Sequence, residues 1–275
     1  MEIKAYPDIK HAALLCLLFL GIQIAGGLIL GAVISVLGYS AESMIFGIGT
    51  IFLFIISFAA VILIGFKKSG RKFNEVFLFK NVPPGVWLSV IIFMFGYVII
   101  SSGIDNLINY FFPMPVFLQN TFQSMLGNDY FVISLLLVGI LPAFLEEMFF
   151  RGVVLSAFRI NYSQTKAVLL SALFFGIIHL NPYQFVTAFL IGLIMAYVLI
   201  KTNSILPAVY MHLFNNVTAV IVMRIESPFV IEGFNSSYGE RSFQPWWFNL
   251  IGIILAGAGA ALFFKKASDS RSTQI

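Results

Sequence analysis

From Ala12 to Leu37 the chain carries no charged residue, and a run of that length and polarity is suited to few surroundings. Roughly 20 apolar residues wound as a helix cross the hydrocarbon core of a bilayer. Similar runs recur, and the spans read as 12–37, 44–66, 86–104, 130–150, 167–180, 183–200, 205–223 and 246–264. The fourth continues to Phe158 through charged residues. The fifth and sixth are short and separated by Asn181-Pro182, so they fit either two crossings or a helical hairpin that stops partway. The expected fold is all-α, a polytopic membrane helix bundle of about eight transmembrane helices. Composition points the same way: 60% of the 275 residues are hydrophobic, 10% are charged and the mean hydropathy is +0.97. A soluble domain would be near a quarter charged.

The first run is too long for the core of a secretory signal and shows no small-residue cleavage site after it, so a retained helix is expected. Lys4, Lys10, Lys67, Lys68, Arg71, Lys72, Lys80, Arg159, Lys166, Lys201, Lys265, Lys266 and Arg271 fall on one side if eight helices alternate. The opposite loops hold Glu42, Asp105, Asp129, Glu226, Glu232 and Glu240, with Arg224 and Arg241 as their basic residues. Positive residues stay inside, which places both termini in the cytoplasm. The segment 111–129, with Leu118, Phe122 and Leu126, reads as amphipathic and lying on the outer surface. The 266–275 tail is polar and expected to fray. The bundle divides into N-terminal helices and an outer loop (1–129), a central group (130–222) and a last helix with its tail (223–275). The net charge of +4 is spread over loops and forms no nucleic-acid stripe. The lone Cys16 excludes a disulfide framework and a cysteine-based zinc site. Gly27 and Gly31 form a weak helix-pairing signal, for which tight packing inside one bundle is the plainer reading.

Polar residues inside apolar spans carry the functional information. Each charge at the centre of a membrane helix costs about 2.5–3.5 kcal/mol on insertion scales, yet Glu146, Glu147 and Arg151 stand within six residues. Glu147 and Arg151 are four apart and can pair on one helix face. Glu146 is rotated from Glu147 by about 100° and can stay out of that pair, free to act as a general base. A helix-end ion pair at the interface, with Glu146 in water, is the structural alternative. His179 ends an apolar run. It suits a structural hydrogen bond as well as catalysis, with Phe175 one turn earlier to pack on its ring and Gly176 to admit a neighbouring helix. His212 and Asn216 share a face and can both donate, either to a developing oxyanion or to a neighbouring helix as polar glue. His11, near the N-terminus, is given no role. Together the three groups satisfy one another if their helices converge.

These three groups, in this order, resemble the motifs of the CPBP family, which includes the type II CAAX prenyl endopeptidases and bacterial proteins called bacteriocin-processing or abortive-infection-like. The resemblance covers about 130–222. It implies an endopeptidase embedded in a prokaryotic cell membrane, hydrolysing membrane-associated or lipidated peptides. In that scheme Glu146 activates water with help from His179, and His212 and Asn216 hold the oxyanion. Glu147 and Arg151 orient the helix and the base. Asn215 is also near one turn from His212, but the motif spacing favours Asn216. No cofactor is expected. Zinc is the open alternative, with Glu146, His179 and His212 as its ligands, although no His-Glu-xx-His helix is present. The expected partners are a peptide or protein substrate and the bilayer, with no nucleic acid. Two other functions fit parts of the pattern: a non-catalytic immunity or binding protein on the same scaffold, and a proton-coupled transporter. Polar residues confined to the second half argue against the transporter, which would carry repeats in both halves.

Overall fold

The computed structural model describes residues 5–127, 130–225, 228–236 and 242–272. All regular structure among them is helical: α1 (Ile9–Val36), α2 (Met44–Ser69), the short α3 (Phe73–Val76), α4 (Pro84–Phe111), α5 (Val116–Gly127), α6 (Phe131–Asn161), α7 (Gln164–Ile177), α8 (Pro182–Thr202), α9 (Leu206–Val222) and α10 (Trp246–Ser272). Helix starts follow local chemistry. Asp8 caps α1 by accepting from the His11 amide, and the His11 ring returns to the same carboxylate at 2.7 Å. Ser43 caps α2 in the same way. Pro84, Pro182 and Pro207 stand in first turns, where a missing N–H costs nothing.

Six of these helices are long and apolar enough to cross a membrane: α1, α2, α4, α6, α8 and α10. The eight expected spans all correspond to helices, but α7 has 14 residues and α9 has 17, short of the roughly 20 that a full crossing needs. The chain is thus a helical membrane bundle with six spans by length and two shorter apolar helices among them. The tail stays helical to Ser272, beyond the expected fraying point. Asp129, Glu226, Glu240 and Arg241, counted in the opposite loops, lie outside the described residues.

The interior is rich in aromatic side chains. Phe58, Phe149, Phe150, Phe158 and Phe175 are almost wholly buried, whereas Leu28, Ile29, Phe52 and Ile253 point outward, as lipid-facing side chains do. Close seams fix the helix positions. A Cβ on Gly96 of α4 would overlap the backbone of Gly252 and Ala256 in α10, and one on Gly259 would overlap the backbone of Phe93. Only glycine permits that approach, and small-residue contacts of this kind drive helix association in lipid. A Cβ on Gly27 or Gly31 would meet nothing within 4 Å, so no tight helix contact forms there; Gly26, one residue earlier, is the glycine at which a Cβ would meet Leu53 of α2.

Candidate functional site

The site begins with the winding of α6. Two stretches, Leu135–Ile140 and Met148–Leu155, take the wider π-helical turn, with regular α-helix over Leu141–Glu147 between them. Such local widenings re-aim side chains and recur at functional sites. In the regular stretch the Glu146 and Glu147 side chains diverge, as their spacing requires. Glu147 is fully buried and its Oε1 lies 2.9 Å from Arg151 Nη1. The contact is charge against charge, off the angle of a good hydrogen bond. The same oxygen stands 3.0 Å from His212 Nδ1. Arg151 is held from two further sides: Nη2 donates to Gly192 O of α8 at 3.1 Å, and the guanidinium lies 4.4 Å from the Phe175 ring centre.

Phe175 is the hub. Its ring also meets His179 at 5.3 Å and His212 at 5.5 Å, both nearly edge-on. α7 ends at Ile177, and the chain turns through Leu180 in the left-handed region, φ 51°. A leucine rarely rests there. Asn181 then caps α8 by accepting from the Tyr183 amide. This turn sets His179 beside the cavity with Nδ1 donating to Phe175 O at 2.8 Å. A carbonyl only accepts, so Nδ1 carries the proton and a neutral His179 offers the Nε2 lone pair. Gly176 admits α8 at Phe185, the close approach that the sequence suggests.

Glu146 is left outside the ion pair. Its Oε2 is buried without a hydrogen-bond partner among the described residues and faces His212 Nε2 at 3.9 Å, beyond hydrogen-bond range. Asn216 differs from expectation in one respect: its Nδ2 donates to Val138 O in the first wide stretch of α6 at 2.8 Å, leaving a single N–H for other use. Asn215 donates to Asn216 Oδ1 at 3.1 Å and so fixes the orientation of that amide. The sequence-selected residues Glu146, His179, His212 and Asn216 line one cavity of about 650 Å³, with Glu147 and Arg151 packed behind it.

The cavity corrects two sequence expectations. Its wall includes Ser101, Ser102, Asp105, Asn106 and Asn109 of α4, so polar residues are not confined to the second half of the chain. Asp105, assigned to an outer loop, belongs to α4, which runs to Phe111 rather than ending near residue 104. The signal was present: these positions repeat at one and four residues and mark one face of a helix. The segment 111–129 does contain a helix, α5, and its Leu118, Phe122 and Leu126 face the cavity. Among the described residues no three His, Cys, Asp or Glu side chains converge as ligands for a metal ion.

Residues 128–218 match the family model described as Type II CAAX prenyl endopeptidase Rce1-like. No curated protein and no solved structure matches the chain. The match contains all six residues that the sequence singled out and leaves α1 to α5 and α10 outside it. The segment that brings Glu146, Glu147, Arg151, His179, His212 and Asn216 together is thus similar to the Type II CAAX prenyl endopeptidase Rce1-like family, and it is carried in a larger helical membrane bundle.

Proposed function

We propose that the protein is an intramembrane endopeptidase in which Glu146 activates water. The observation that carries this reading is the unequal treatment of the two glutamates. Glu147 is consumed by Arg151 and His212, while Glu146 lines the cavity and its buried Oε2 has no hydrogen-bond partner among the described residues. Glu146 takes a proton from water as the oxygen attacks the peptide carbon, and returns it to the departing amine. His179, with Nε2 as acceptor, helps to orient that water. The oxyanion meets His212 Nε2 and the remaining N–H of Asn216. Because Nδ1 of His212 points at Glu147, donation from Nε2 requires the imidazolium, and Glu147 is placed to support that charge. Glu147 and Arg151 act as positioning residues. No step is routed through a metal. The distribution of lysine and arginine supports an orientation with both termini in the cytoplasm, and the membrane is read as that of a prokaryotic cell.

The test compares purified wild type with Glu146→Gln on a membrane-associated peptide, alongside proteomics of membrane fractions from cells carrying each form. Cleavage by wild type and its loss in the variant are expected, with full-length substrates accumulating in the variant's membranes. Equal cleavage by both sinks the assignment of the base; cleavage by neither supports a binding protein on the same scaffold.

A further inference from the structure

The polar face of α4 contains one residue that differs from its neighbours. Ser101 donates to Val98 O, and Ser102 and Asn106 donate to Gly233 O, while Asn109 accepts from the Met114 amide. Those four side chains hold backbone in place. Asp105 makes no ion pair and no hydrogen bond to backbone among the described residues; it stands beside the Thr187 hydroxyl and opens to the cavity. Thr187 is itself set by α4, since Tyr97 donates through its hydroxyl to Thr187 O at 3.2 Å. Asp105 is exposed towards the end of α4, and no Lys or Arg is among the described residues that line this cavity. Glu146 faces His212 at 3.9 Å, which leaves Asp105 as the lining carboxylate with no histidine against it among the described residues, and a carboxylate attracts a cation. Asp105 lies outside the family match at 128–218, and so belongs to this chain's own wall rather than to the shared motifs.

We infer that Asp105 forms a subsite for a cationic group of the substrate, an ammonium or guanidinium a few residues from the bond to be cut. The inference rests on the cavity being the peptide cleft. Met114, Phe122 and Met125, which line the same cavity, take the apolar part of the same segment. The peptide then binds with its charge on α4 and its apolar side chains against α5, and an acidic residue at that position is rejected.

The experiment has a binding arm and a turnover arm, both on the full chain in lipid. Fluorescent peptides that differ at one position, with Lys, Arg, norleucine or Glu, and with free or acetylated N-termini, are bound to the Glu146→Gln protein. Tighter binding of the Lys or Arg peptide by roughly tenfold over norleucine is expected, as for a hydrogen bond to a charged group, with Glu weakest. If only the free N-terminus matters, the cation is the terminal ammonium. In Asp105→Asn the preference collapses, and in Asp105→Glu it returns. Turnover by chains with Glu146 intact should show the same preference in KM. A preference that survives Asp105→Asn overturns the subsite, as does an equal loss for every peptide, which marks a structural role. Wild type that binds with this preference yet cuts nothing leaves the subsite standing and removes the peptidase reading.

Discussion

At the scale of single residues, the two adjacent glutamates should respond differently to substitution. Glu146 is not part of the buried ion pair, so Glu146→Gln should fold with an unchanged melting temperature and lose about 10²–10⁴-fold in turnover, the usual weight of a general base. Glu147→Ala should instead leave the Arg151 charge buried without its partner, a cost of about 3–5 kcal/mol, and lower the melting temperature in detergent. Two melting curves and one cleavage assay separate these outcomes; a destabilised Glu146→Gln with full activity reverses the roles. A strong chelator should leave turnover unchanged, and loss restored by added zinc would reverse that. This part of the site was legible because charge is expensive in lipid: Glu146, Glu147, Arg151 and the two histidines stand out against apolar neighbours, and helix periodicity separates one glutamate from the other. The backbone acceptors of the site were not legible. Gly192 O and Val138 O are backbone atoms, and no side-chain pattern announces them.

At the scale of elements, the wide turns of α6 and the glycine seam of α4 hold the site in register. Asn216 meets Val138 O where α6 widens, so Asn216→Leu should strand a carbonyl and cost about 1–3 kcal/mol, as well as removing a donor from the cavity. Asn216→Asp, which keeps an oxygen but presents no N–H when ionised, should lose activity too; near wild-type turnover in both variants would show that Asn216 is only glue. The seam is more demanding. Gly96→Val places side-chain atoms into the backbone of α10, and α4 can escape only by moving the face that carries Asp105. The expected result is a lower melting temperature and weaker peptide binding, while Gly27→Val, whose site meets nothing within the bundle, should change neither. Sequence periodicity located these helices to within a few residues at most ends. It trimmed α4 too early because Ser101, Ser102, Asp105 and Asn106 lower the local hydropathy just where the helix turns its polar face inward, and it could not show the π-helical turns, which no residue type dictates.

At the scale of the whole molecule, the orientation of the bundle decides the side from which substrate arrives. The C-terminal end of α4, the turn at Asn181 and the end of α9 lie at one end of the cavity, where Tyr183 donates through its hydroxyl to Pro113 O and α5 packs across. If the termini are cytoplasmic, α4 runs from inside to outside, and this end of the cavity faces away from the cytoplasm. The sole cysteine, Cys16, is buried, so a Cys16→Ala background permits single-cysteine mapping. Glu42→Cys, in the turn between α1 and α2, should label with an impermeant maleimide in intact cells, and Lys68→Cys only after the membrane is opened. A peptide supplied outside spheroplasts should then be cut, and the same peptide presented to sealed inverted vesicles should not. Labelling in the reverse order would place the mouth in the cytoplasm, and cleavage should switch sides with it, because the geometry of α4 and α5 ties the mouth of the cavity to the loop that carries Glu42 whichever way the bundle is inserted.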